Sequence, residues 1–207
     1  SDVTVLGIDR SIPSDWVQYD ATSVTIVVSD TDGDGVMDMQ EDGAPNNGDG
    51  NEDGILDRLQ GNVASVPSAL GGLYLTVVAP SEYPLQNVQL VDNPSPSDAP
   101  ADVPFPLGFL AFDMPAVPLD QATNVTIHLE QGAQTNTVYR YGVTPENTTP
   151  HWYAFLAGNG YGATVYGSRV QMELVSGNEG DDAPQAPGIA VDCVALGLSS
   201  TPWRNPD

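Results

Sequence analysis

The chain has 207 residues, of which 28 are acidic and 5 basic, for a formal net charge of −23. All the basic residues are Arg, so the balance argues against nucleic acid and anionic membrane surfaces, which both recruit a basic face. No apolar run reaches membrane-spanning length, and a hydrophobic content of 40% suffices for one large β domain or two small ones with a real core.

Residues 1–29 read as an N-terminal β segment, with strands over 3–8 and 24–28. The first of these is a candidate donor strand, able to complete the sheet edge of a neighbouring copy. Starting at Ser1 without a leader-like stretch, the chain reads as a mature, exported protein.

Residues 30–60 carry two acidic loops in tandem. The first places Asp30, Asp32 and Asp34 at positions 1, 3 and 5, Gly35 at 6, the Val36 carbonyl at 7, Asp38 at 9 and Glu41 at 12. That is the ligand spacing of a twelve-residue EF-hand-type calcium loop, in which alternating acids supply oxygens to a hard cation and the glycine makes the sharp turn. The second repeats the offsets with Asp49, Asn51, Asp53, Gly54, Ile55, Asp57 and Gln60. At least two Ca2+ ions are therefore expected. The competing reading is a disordered acidic linker, since ten acids and no base lie between Asp30 and Asp57. Glu41 gives the first loop a charged, bidentate-capable ligand where the second has the neutral Gln60, so the first should bind more tightly. Full EF-hands need flanking helices. Here a β-branched run precedes Asp30, and the breaker-rich stretch 41–48 leaves no room for a helix. The most helix expected is a short turn at 55–59. The segment resembles thrombospondin type 3 repeats, which implies structural ions held without framing helices.

Further strands are expected at 73–78, 88–91, 107–112, 125–129, 138–141, 152–155, 163–166, 170–175 and 189–196. Many alternate: Val125, Ile127 and Leu129 face one way, Thr126, His128 and Glu130 the other. Period-two alternation between Pro, Gly, Asn and Asp turns predicts an all-β chain, an antiparallel β-sandwich of jelly-roll or Ig-like type. The expected organisation is a β segment at 1–29, a calcium segment at 30–60, a sandwich at 61–198 and a tail at 199–207.

Several polar groups outside the loops invite a site. His151 lies among Tyr139, Tyr141, Trp152 and Tyr153 and reads as hydrogen-bonded within an aromatic packing cluster. His128 reads as exposed. Glu179, Asp181 and Asp182 read as a solvated turn or a further calcium site. Cys193, the single cysteine, reads as a buried small hydrophobe or an intersubunit bridge. Asn124 and Asn147 head glycosylation sequons. Tyr74, Tyr83 and Tyr161 offer rings to sugars. No nucleophile elbow, HExxH or His/Cys cluster is present, so catalysis is not expected.

The stretches NVASVPS at 62–68, LQNVQLVDNPSPSDAP at 85–100, FPLGFLAF at 105–112, VYRYGVTPENTTPHWYAF at 138–155 and GNEGDDAPQAPGIAVD at 177–192 follow one another in order. Together they resemble the choice-of-anchor U domain of bacterial exported proteins, over roughly residues 30–192. The resemblance implies an extracellular or surface-attached β domain without catalytic activity. The chain departs from it in its extra N-terminal strand and in the lack of an anchoring signal. The expected function is a secreted, calcium-stabilised structural subunit that polymerises by strand exchange into a filament, sheath or matrix. The alternative is a surface adhesion module with a glycan partner.

Overall fold

The computed structural model describes residues 29–144, 146–158, 161–178, 180–183 and 186–200. The strands expected at 3–8 and 24–28, the end of the tail, and Glu179 lie outside these residues.

The described chain is an all-β sandwich of two five-stranded sheets, antiparallel throughout. Strands run in chain order as β1 (Val63–Pro67), β2 (Tyr74–Val78), β3 (Gln86–Val91), β4 (Phe109–Met114) and β5 (Ala122–Leu129). They continue as β6 (Thr137–Thr144), β7 (Asn147–Ala154), β8 (Gly162–Tyr166), β9 (Arg169–Val175) and β10 (Ile189–Gly197). One sheet has the order β1-β2-β5-β9-β8, the other β3-β4-β10-β6-β7. No helix among the described residues is long and apolar enough to cross a membrane.

Alternation builds the core. Val125, Ile127 and Leu129 of β5 and Val170, Met172 and Leu174 of β9 are buried, facing Leu110, Phe112 and Met114 of β4. In β10 the inward residues run Ile189, Val191, then Val194 and Leu196. A register shift between Val191 and Val194 absorbs the extra residue, as a bulge must if both halves are to face the core. Cys193 sits in this bulge, buried and free, and burial pushes its thiol up to about 12. A buried, protonated thiol at that position suits the packing reading.

Each expected strand within the described residues is present, with bounds shifted by a few residues. β1 was not anticipated. Its four leading residues are all buried, so no alternation marks it, and it holds small Ala64 and Ser65 between two valines. The stretch 41–48 holds no regular helix, as expected. Single turns form at α1 (Asp38–Glu41) and α2 (Pro45–Gly48). Asn46 and Asn47 of α2 have φ of 55° and 63°, so this is a turn and not a helix that could frame an ion. A 3-10 turn at Asp57–Leu59 matches the short turn expected there.

Candidate metal centre

The acidic segment packs on the outer edge of the sandwich. The Asp34 carbonyl accepts from Val88 N of β3 at 3.0 Å, and Leu85 N donates to Gly61 O at 2.7 Å. Gly35 has φ +102°, and a Cβ there would lie 3.0 Å from the Asn87 and Val88 backbone. A side chain would therefore lift the first loop off β3. Gly50 plays the same part in the second loop: an added Cβ would lie 2.2 Å from Thr76 Oγ1 and 2.7 Å from Ser65 Oγ.

The two loops close alike. The position-9 carboxylate accepts from the position-2 amide in both, Asp38 Oδ1 from Thr31 N at 2.7 Å and Asp57 Oδ2 from Gly50 N at 2.9 Å. The position-5 carboxylate accepts from the position-7 amide, Asp34 from Val36 N and Asp53 from Ile55 N. The position-1 carboxylates of Asp30 and Asp49 each collect two amides across the turn. Gly35 and Gly54 both have positive φ, as position 6 requires.

The loops differ in what remains free. Asp30, Asp32 and Asp34 bring one oxygen each to within 4.8 Å of one another. Asp34, Glu41 and Asp57 are fully buried. Five oxygens lie buried without a hydrogen-bond partner: both of Asp32, Oδ2 of Asp34, Oε2 of Glu41 and Oδ1 of Asp57. Burial pushes Glu41 up to about 9, reinforced by Asp34, Asp32 and Asp57. Burial likewise pushes Asp34 up to about 7, against the Val36 amide. Asp57 and Asp32 are raised for the same first reason. The Asp34 and Gln60 amides pull Asp32 back down without closing a hydrogen bond to it. Asp57 feels Asp49 and Asp53 of its own loop, and Glu41 and Asp34 feel Asp57 in turn. It thus stands between the two loops.

The structure brings Asp30, Asp32 and Asp34 within ligand distance of one another, while Glu41 and Asp57 lie outside that group, tied to each other through Ser65 and felt by it electrostatically. Asp38 points elsewhere: both its oxygens accept from Thr31, at 2.7 Å each. In the second loop Asp49, Asn51 and Asp53 are tied to one another or to loop amides, and Gln60 Nε2 donates to Asp53 Oδ1 and Ile55 O. Its amide therefore occupies acceptors that the first loop leaves free. Ser65 was not anticipated. It ties the cluster to β1, its amide donating to Glu41 Oε1 and its hydroxyl to Asp57 Oδ2 at 2.6 Å. No spacing rule points to a serine outside both loops.

The other candidate groups have structural partners. Asp181 accepts from the Gly177, Ala183 and Ala190 amides, and Asp182 pairs with buried Arg140. These two are therefore committed, and a further cation site there loses its ligands. Trp152 stacks on Phe105 and meets Tyr141 edge-on. His151 alternates to the other face, beside Tyr153, with Nδ1 3.0 Å from Thr149 O. The expected single aromatic cluster is therefore two, on opposite faces of β7. His128 is half-buried, not exposed.

Chemically, the centre is an all-oxygen donor set in a desolvated setting. Isolated buried carboxylates are costly unless paired or bound to a metal, and the Asp30, Asp32 and Asp34 group could hold a hard divalent cation. The donors include no nitrogen or sulfur of the kind that selects zinc or copper. A scan against family models finds no match, and searches of curated proteins and of solved structures find none either.

Proposed function

We propose that this chain is a calcium-stabilised structural module of an extracellular or surface-attached assembly, with residues 30–60 serving as a brace set by bound Ca2+. The five unpartnered buried oxygens carry this reading. Calcium takes six to eight oxygens, and a carboxylate and carbonyl cage satisfies it. Asp30, Asp32, Asp34 and Glu41 would hold the first ion. Asp49, Asn51, Asp53 and the Ile55 carbonyl would hold the second, more weakly, with Asp57 beside both. The ion's contribution is charge neutralisation and a fixed chain path. The residues do the rest: Ser65 anchors the cluster to β1, and Val88 clamps the first loop onto β3.

Assembly by strand exchange belongs to the same proposal. Residues 3–8 have the β-branched, alternating character of a donor strand. β7 is an edge strand whose first four residues are exposed, and Pro150 guards only part of that edge. Head-to-tail contacts of this kind do not close, so they yield filaments. Native material imaged by electron microscopy should show filaments in calcium and dispersed particles in excess chelator. A chain lacking residues 1–10 should stay folded and monomeric. Dispersed particles in calcium would sink the assembly reading, and polymers from the shortened chain would sink strand donation. The second reading, a glycan-binding surface module, is favoured by a polar cleft between the acidic segment and the sandwich.

A further inference from the structure

A cleft of about 290 Å³ opens where the acidic segment lies over the outer face of the β2-β5-β9 sheet. Its floor is one cross-strand row. Ser65 is in register with Thr76, Thr76 with His128, and His128 with Arg169. The row begins at the metal centre, because Ser65 bonds Asp57 and lies 2.7 Å from Thr76 Oγ1. Thr76, His128 and Arg169 then line the cleft, with Asn46, Tyr74 and Ser168 around them.

Charge singles this cleft out. Among the described arginines, Arg58 pairs with Asp42 and Arg140 with Asp182. Arg169 has no ion pair among the described residues and is exposed. It stands beside His128, whose pKa is lowered by burial first and by Arg169 second. In a chain of −23, the one guanidinium without an ion pair among the described residues thus lies next to a half-buried imidazole. The cleft also holds Glu52 and Glu130. Glu130 accepts from Tyr74 N at 2.7 Å, and Glu52 from the Asn46 amide at 3.4 Å, so both carboxylates already have donors.

We infer that this cleft is a binding site for a carboxylated saccharide, with Arg169 receiving the carboxylate and His128, Asn46 and Ser168 receiving ring hydroxyls. A guanidinium presents a planar fork that matches a carboxylate bidentately. The Ser168 hydroxyl, the His128 imidazole and the Asn46 amide around it supply the donors and acceptors that fix a polyol, and the Tyr74 ring gives an apolar wall. Asn46 comes from the acidic segment, but Arg169, His128 and Ser168 belong to the sandwich, so a variant at Arg169 tests this site apart from the calcium reading.

The test is a calorimetric titration in calcium buffer with a galacturonate trimer, the matching neutral galactose trimer, and an N-acetylated peptide with a free C-terminal carboxylate. Because uronates bind calcium themselves, the deciding arm is Arg169→Ala, an exposed change whose unchanged melting temperature would show that the fold persists. The galacturonate trimer should bind saturably, about ten-fold more tightly than the neutral trimer, and Arg169→Ala should lose about ten-fold, the worth of one charge-assisted contact. Absence of saturable uronate binding overturns the proposal. So does equal binding by Arg169→Ala, or binding of the peptide in place of the saccharide.

Discussion

Two acidic clusters in this chain have similar composition and opposite wiring. Around Asp181 and Asp182 the protein supplies its own donors: three backbone amides for Asp181, and the Asp192 amide and Arg140 for Asp182. Arg140 is fully buried, lies 5.6 Å over the Phe155 ring, and donates to the Gly180 carbonyl as well. Around Asp32, Asp34, Glu41 and Asp57 the chain supplies amides for some oxygens and leaves five with nothing. Both clusters are desolvated, but only one is internally neutralised. Acid density therefore says little about the need for a cation. The donor count for each buried oxygen says much more.

Stripping divalent ions should produce the largest effect. At free calcium about 100 times the dissociation constant, each site adds about 2.7 kcal/mol to folding, or roughly 5–10 °C in melting temperature for a domain of this size. Chelation should lower the melt accordingly and open residues 30–60 to protease. An unchanged melt would mean that the first cluster, like the second, needs no ion.

Single substitutions sharpen the contrast through their sign. Asp182→Asn leaves Arg140 buried without its partner and should cost about 3–5 kcal/mol, equally with and without calcium. Glu41→Gln should behave oppositely in the two conditions. In calcium it removes a charged ligand and destabilises, by at most about the 2.7 kcal/mol of one site. In chelator it removes a group that must take up a proton to be buried beside Asp34, Asp32 and Asp57, and stabilises. Denaturant melts of both variants in both buffers give the comparison, and a Glu41→Gln effect of the same sign in each would erase the distinction between the clusters.

Much of this was legible in the residues. Alternation at Val125, Ile127 and Leu129 shows the half-buried strand directly, and the D-x-D-x-D-G spacing locates the first loop and its positive-φ glycine. What escaped has physical reasons. β1 is covered on both faces, so its valines, Ala64 and Ser65 carry no period-two signal. Ser65 reaches Glu41 and Asp57 across 24 and 8 residues, a closeness set by tertiary docking. Asp57 follows the loop rule in closing onto Gly50, yet it also stands by Glu41 and Asp34, which spacing within one loop cannot express. The capture of Asp182 by Arg140 spans 42 residues and turns an apparent cation site into an internal ion pair. The assignment of His128 to the outer face was right in alternation, but its partial burial depends on the acidic segment lying over the sheet.

The most discriminating test reads protons against cations. Without metal, Asp34 and Glu41 have folded-state pKa values raised to about 7 and about 9 from ordinary values of 3.8 and 4.5. Raised carboxyl values mean that the folded state holds protons the unfolded chain has released. Their contribution to stability is full below about pH 4 and is lost as pH rises through the folded values. In chelator the melting temperature should therefore fall from about pH 5 to about pH 9. Calcium takes the place of those protons and binds the ionised forms, so its affinity rises over the same range. The gap between the calcium and chelator melts should widen steadily with pH. Asp192, raised by burial and by Asp182, titrates outside the metal centre and shifts both melts alike, so it cancels in the gap. A gap that stays constant across this range would show that the buried oxygens of Asp34 and Glu41 do not face the ion.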